Sequence, residues 1–300
     1  MPEPVKDWLT YEPSQISRLE DSLRRIDEAT REPQAPGDDE PVFVAGLGWR
    51  TGSTLVQRAL MTDPSILVWG EALDRLLYVD RLTEPLYGID AEWPTEGHWL
   101  SHRPDVDLAR DWVAMLAPDA GYLKAANRAF FDAWLGAPAR ARGFKRWGAK
   151  QVRWSGAHAL MLRWLFPKAH VLLIVRHPVT AYRSLREAGF EPPEWGHLVR
   201  WPDRWVTSLE DYARYWNALA LSWGAVLDKL GARWLRYEDL DEGRVDFDAI
   251  AAEIGLATDA KVAKASRAGE GLRRVTLSAE ERDRINVLTT EGRALFSYLE

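Results

Sequence analysis

Gly46-Leu-Gly-Trp-Arg50-Thr51-Gly52-Ser53-Thr54 is a glycine-rich turn set between a short apolar run, Pro41–Ala45, and an amphipathic stretch from Thr54 to Met61. Glycines let a backbone approach a ligand closely, and the start of a helix offers unpaired N–H groups at the positive end of its dipole. The chemistry of such a turn is anion binding. The spacing does not fit G-x-x-x-x-G-K-[ST] in any register. The basic residue is Arg50, which precedes Gly52 instead of following it. Taken alone, the turn serves equally as a capping turn, with Thr51 or Ser53 as the cap and Arg50 in solvent.

A second constellation follows the apolar run Val171–Val175, which ends in Arg176-His-Pro-Val-Thr-Ala-Tyr-Arg-Ser184. In phosphate-transferring P-loop enzymes a strand end near the phosphates supplies an aspartate for Mg²⁺. Here it supplies an arginine, whose planar fork suits an oxyanion and cannot ligate a metal. Ser184 lies about two helical turns further on, within reach of the same anion if a helix passes over it. The competing reading is an arginine paired with a carboxylate at the sheet edge. His98 and His102 are four apart and could share a helix face, but two ligands do not make a zinc site without a third. No metal site is expected.

The elements that must carry these residues alternate. Pro41–Ala45 and His170–Val175 read as buried strands, and Arg233–Tyr237 as a later one. Helices are expected from Thr54 to Met61, up to Phe166, from Pro178, from Leu209 to Leu230, and from Asp246 to Ile254. Proline suits the first turn of the helix at Pro178. Strands alternating with helices imply an α/β fold with a central parallel sheet covered on both faces. Ser14–Thr30 has helical spacing (Ile16, Leu19, Leu23, Ile26), and REPQAPGDDE after it reads as a linker. Residues 1–40 are therefore expected as a helix and linker ahead of a main domain at 41–300, with 71–140 as a helical, Trp-rich insertion or lid.

Composition narrows the classes. The 300 residues carry 46% hydrophobic and 28% charged residues and a net charge of −6, without the basic excess of a nucleic-acid protein. With no cysteine, disulfides, thiolate metal sites and cysteine nucleophiles are excluded. The first residues contain no apolar signal-like run, and no stretch reaches the length of a membrane span, so a cytoplasmic protein is expected. The 16 tryptophans are expected mainly in the core, some of them lining an acceptor pocket.

Four segments together resemble the sulfotransferases that use 3′-phosphoadenosine 5′-phosphosulfate (PAPS). GLGWRTGSTLVQRAL resembles their 5′-phosphosulfate loop and LLIVRHPVTAYRS their 3′-phosphate motif, while RWGAKQVRW and LRYEDL look like further family segments in the family order. Gly70-Glu71 after the first helix places the resemblance nearest the tyrosylprotein and bacterial branch. The resemblance implies a three-layer P-loop-like fold and transfer of a sulfonyl group from PAPS to a hydroxyl or amine, leaving 3′-phosphoadenosine 5′-phosphate (PAP). It puts Arg50 at the phosphosulfate, Thr51, Gly52, Ser53 and Thr54 around the 5′-phosphate, and Arg176 and Ser184 on the 3′-phosphate. Glu71 matches the catalytic base and Lys150 a lysine near the transferring sulfonate. After Lys150 the chain has Gln-Val-Arg where many relatives have Thr-Pro or Asp-Pro. GEGLRRVTLS faintly echoes a third cofactor segment, which brings in Arg273 and Arg274 and, more distantly, Ser266. His158 or His98 would be the base if Glu71 is not. The acceptor is expected to be a small molecule or a peptide, with no nucleic-acid partner and no metal. A P-loop small-molecule kinase and a non-catalytic nucleotide-binding protein are the competing functions.

Overall fold

The computed structural model describes residues 13–32, 39–71, 78–190, 206–261 and 274–299. In chain order its elements are α1 (Pro13–Ala29), β1 (Val42–Gly46), α2 (Ser53–Leu60), β2 (Ile66–Trp69), α3 (Tyr78–Thr83), α4 (Ala120–Phe131), α5 (Ala137–Ala141), β3 (Arg146–Gln151), α6 (Gly156–Leu165), β4 (His170–Val175), α7 (Pro178–Glu187), α8 (Leu209–Gly224), α9 (Leu227–Leu230), β5 (Arg233–Arg236), α10 (Tyr237–Glu242), α11 (Phe247–Glu253), α12 (Ala279–Leu288) and α13 (Thr290–Leu295). A π-helical turn, Asp132–Gly136, joins α4 to α5.

The strands form one five-stranded sheet in the order β2-β3-β1-β4-β5, every neighbouring pair parallel. β1 is central, with Val44 opposite Lys150 on β3 and Leu172 on β4. Alternation along β1 and β4 splits the interior in two. Phe43, Ala45, Val171, Leu173 and Val175 face a large cluster built with α1, α4, α6 and α8. Val42, Val44, Leu172 and Ile174 face a smaller one built with α2 and α11. Two buried faces explain why the central strands are almost continuously apolar. The result is a three-layer α/β fold whose strand–glycine turn–helix opening is P-loop-like.

α1 belongs to this architecture. Ile16, Leu19, Leu23 and Ile26 are buried on one face of it and join the larger cluster. Burying such a side chain contributes about 1.5–3 kcal/mol, so the helix is fixed to the sheet layer by its apolar stripe.

Several elements differ from the sequence expectation. β2 and β3 are additional to the expected strands. β3 reads Arg-Trp-Gly-Ala-Lys-Gln, and its polar residues are absorbed locally: Arg146 reaches the Ile254 carbonyl and Glu40, and Lys150 pairs with Glu71. The single helix expected over Leu209–Leu230 is two, with a turn at Ala225 and Val226 between α8 and α9. Gly224 ends α8 where Leu295 packs so closely that a Cβ would stand 2.6 Å from Leu295 Cδ1. Between 71 and 140 the described helices stand toward the two ends. Between Ile89 and Asp119 there are only two short 3₁₀ turns, Glu96–His98 and Leu100–His102. Among the described residues, no helix is long and apolar enough to cross a membrane.

Candidate functional site

Every strand of a parallel sheet points its carboxyl end the same way, and ligands of such folds bind there. Here the candidate residues lie at or follow the ends of successive strands: Arg50 after β1, Glu71 after β2, Lys150 one residue before the end of β3, Arg176 after β4, and Tyr237 and Glu238 after β5.

The β1–α2 turn is shaped by its glycines. A Cβ on Gly46 would stand 2.5 Å from Thr51 Oγ1. Gly52 has φ +88°, and a Cβ there would overlap the ring of Tyr237. Arg50 is itself left-handed at φ +60°, an uncommon conformation for a long side chain. Gly52 is the N-cap of α2, and no side chain caps the helix. Thr51 is fully buried and its hydroxyl turns to the Gly48 carbonyl at 3.4 Å, away from the α2 amides. The side-chain capping role open to Thr51 and Ser53 is therefore not the one the structure uses. Leu55 and Val56 donate their N–H groups to the Gly52 carbonyl, while the amides of Gly52, Ser53 and Thr54 meet no acceptor among the described residues. These amides, at the positive end of the helix dipole, are available to an anion.

Arg176 closes the other side. Its Nη1 donates to the Arg50 carbonyl at 2.9 Å and its Nε to Thr180 Oγ1 at 3.3 Å, and its guanidinium lies 4.2 Å from the centroid of the Tyr237 ring. Its polar partners among the described residues are thus a carbonyl and a hydroxyl, not a carboxylate, and the sheet-edge ion pair is not formed. Burial lowers the Arg176 pKa from its ordinary value, while Tyr237 and Glu238 act in the opposite direction. The guanidinium stays charged. Ser184 is buried on α7, and Arg50 Nε donates to its hydroxyl at 3.3 Å. Arg50, Arg176 and Ser184 therefore form one basic corner, with Arg50 lying toward Ser184.

Glu71 Oε1 accepts a charged hydrogen bond from Lys150 Nζ. The lysine side chain is 7% exposed and the glutamate 30%, so the pair presents its carboxylate outward. Arg153, three residues beyond Lys150, is buried with its guanidinium 5.4 Å from the Trp49 ring, which in turn lies 4.5 Å from Tyr215. Arg274 is exposed in the irregular stretch before α12. Arg273 and Ser266 lie outside the described residues.

His158, His98 and His102 are engaged elsewhere. His158 is buried at the start of α6, where Nδ1 accepts from the Ser155 amide at 2.9 Å and Nε2 lies 3.3 Å from Asp80 Oδ1. Burial pushes its pKa down, with Asp80 opposing. His98 Nδ1 is 2.8 Å from Thr95 Oγ1, and its ring packs 4.6 Å from Trp93. His102 Nε2 meets the Ala29 carbonyl at 2.8 Å. Among the described residues there is no group of three His, Asp or Glu side chains able to hold a metal ion.

Sequence reasoning did not find Thr180, Tyr237, Glu238 or Tyr298 as members of this corner. Tyr237 and Glu238 could have been suspected from their place at the end of an expected strand. Tyr298 carries no local signal.

Residues 41–244 match the family model described as "Sulfotransferase family". The fold is similar to a sulfotransferase from Alicyclobacillus acidocaldarius (15% identity, TM-score 0.47, covering 87% of this chain and 95% of that one). It is also similar to the sulfotransferase domain of the Synechococcus PCC 7002 olefin synthase (16% identity, TM-score 0.44, 90% and 100% covered). A third likeness is the sulfotransferase domain from the curacin biosynthetic pathway (12% identity, TM-score 0.45, 87% and 98% covered). No curated protein sequence matches the chain.

Proposed function

The chain belongs to the sulfotransferase family, and from that premise we propose that it transfers the sulfonyl group of PAPS to a hydroxyl or amine acceptor, with Glu71 as the general base. The observation that carries this reading is the placement of Arg176. It follows β4 beside the β1–α2 turn, has no carboxylate partner among the described residues, and donates to the Arg50 carbonyl of that turn. Two anion sites that share a wall fit a nucleotide with phosphates at both its 5′ and 3′ positions.

In this reading the amides of Gly52, Ser53 and Thr54 and the Thr51–Thr54 backbone hold the 5′-phosphate, and Arg176 with Ser184 holds the 3′-phosphate. The donor supplies an electrophilic sulfur and a bisphosphate leaving group. Arg50 lies within its own side chain's reach of both sites and adds positive charge where the leaving oxygen becomes anionic, an effect larger in the transition state than in the ground state. Lys150 orients Glu71 through their ion pair. Glu71 takes the proton of the acceptor O–H or N–H as that atom attacks. Arg274 is a further candidate for the phosphates, and Arg273 completes that segment in sequence. The acceptor is a small molecule or peptide, and the setting is the cytoplasm.

Calorimetry with PAP and adenosine 5′-monophosphate (AMP) tests the two-anion reading. A hydrogen bond to a charged group contributes about 1.5–3 kcal/mol, which predicts roughly a ten- to hundredfold preference for PAP. Arg176→Ala should abolish the preference and leave AMP binding nearly intact. Equal affinity of the wild-type protein for both nucleotides would exclude the assignment.

A further inference from the structure

Tyr298 is distant in sequence from every residue of the nucleotide corner, yet its side chain ends inside it. Its hydroxyl donates to Glu238 Oε2 at 2.7 Å. The other oxygen, Oε1, accepts from the His177 amide at 3.1 Å and lies 3.3 Å from Thr180 Oγ1. Thr180 Oγ1 in turn accepts from Arg176 Nε. One carboxylate thus joins a C-terminal tyrosine to the first turn of α7 and, through Thr180, to the guanidinium that faces the 3′-anion.

The tyrosine is held for this role from several sides. The His177 ring meets its ring edge-on at 5.2 Å, and Arg236 lies 5.9 Å over it. Arg236 also donates to the neighbouring Ser297 carbonyl, and Arg293 to the Tyr298 carbonyl. Ser297 has φ +55°, so the chain is bent at the point where the tyrosine turns inward. Burial and Glu238 raise the phenol pKa far above its ordinary value, which keeps the hydroxyl a donor at every working pH. A carboxylate that receives hydrogen bonds from a tyrosine and an amide, with the Thr180 hydroxyl shared between it at 3.3 Å and the His177 carbonyl at 3.0 Å, is fixed in orientation. It is also charge-compensating for Arg176 without touching it, which leaves the guanidinium oriented and still open to an external anion.

We propose that Tyr298, acting through Glu238 and Thr180, is a positioning residue for Arg176, so that selectivity for a 3′-phosphorylated nucleotide depends on the docked C-terminal segment. The inference rests on the nucleotide reading given above. It assigns no chemistry to Tyr298 or Glu238; both hold a binding residue in place.

The test is calorimetry with PAP and AMP on the wild type, Tyr298→Phe, Glu238→Asp and Arg176→Ala, and on Tyr298→Phe in the Arg176→Ala background. Loss of the tyrosine's hydrogen bond to the Glu238 carboxylate, felt at Arg176 only through Thr180, predicts that Tyr298→Phe weakens PAP binding by about three- to tenfold and leaves AMP binding unchanged. Glu238→Asp, which keeps the charge and draws the carboxylate back from Tyr298 and the His177 amide, should act the same way. In the Arg176→Ala background, Tyr298→Phe should have no further effect on PAP, because the residue it positions is gone. A general packing role would weaken both nucleotides alike and would persist without Arg176; either result overturns the inference while a wild-type preference for PAP keeps the nucleotide reading intact. If the wild type itself shows no preference, the nucleotide reading fails and the inference falls with it. Phenylalanine keeps the ring and its contacts, and the thermal midpoint of each variant, with and without AMP, identifies any that is misfolded.

Discussion

Lys150 is among the few lysines a protein buries, and it is buried against a glutamate 79 residues earlier in the chain. A buried ammonium is costly unless paired. Glu71 thus does two things: it compensates Lys150 and presents its carboxylate toward the strand ends. Glu71→Gln separates them. Glutamine can still accept a hydrogen bond from Lys150 but cannot take a proton, so turnover should fall by about 10²–10⁴ while PAP binding stays near wild type; near-normal turnover would remove Glu71 as the base. Lys150→Met is the complementary change, removing the buried charge while keeping the stem. It should lower turnover with PAP binding little changed, because Glu71 loses its orientation. The arginine at 176 makes a different prediction. With a guanidinium, which cannot ligate a cation, at the end of β4 beside the β1–α2 turn, turnover should be unaffected by EDTA, and restoration of a lost rate by Mg²⁺ would favour the kinase reading instead.

The turn between β1 and α2 works as an element, and its integrity hangs on Gly52. Alanine there would be left-handed, costing about 1–2 kcal/mol, and its Cβ would displace Tyr237, the ring on which Arg176 stacks. Gly52→Ala should therefore weaken AMP and PAP together and lower the thermal midpoint, unlike Arg176→Ala, which affects PAP alone. At this scale the sequence was partly legible. β4 is visible as six residues because both its faces are buried, and β1 lies within one residue of the expected run. β3 escaped because its last positions are polar, Lys150 paired with the distant Glu71 and Gln151 turned back to the Val152 amide. The α8–α9 break escaped because only a single glycine, Gly224, marks it, and apolar spacing continues on both sides. The basic corner is legible where spacing is local, as from Arg176 to Ser184. It is illegible where a member arrives from far along the chain, as Tyr298 does. The stretch between Ile89 and Asp119 shows that tryptophans in apolar company need not mark helices: Trp99 is buried there while Trp93 and Trp112 remain exposed.

Among the described residues, three histidines lose basicity through burial: His158, His170 and His177. Each binds a proton less readily when folded than when unfolded, so the unfolded state gains protons first as the pH falls. Stability contributed by the neutral rings is present above the ordinary value of 6.5 and declines as the pH drops below it. The thermal midpoint should fall between pH 7 and pH 5, and His158→Gln should flatten that slope; an unchanged slope would assign it to the other two. Asp63, Asp119 and Asp239, whose pKa values are lowered, add a second loss only as the pH falls below about 4. The sheet order has a separate consequence. Its strands pair residues far apart in the chain, and the basic corner draws on the ends of β1, β4 and β5 together with the C-terminal segment. No contiguous fragment contains this corner. A bound nucleotide is then a tie between segments that separate only when the sheet itself comes apart, so it should slow amide exchange in β1 and β4, strands whose own N–H groups never touch it.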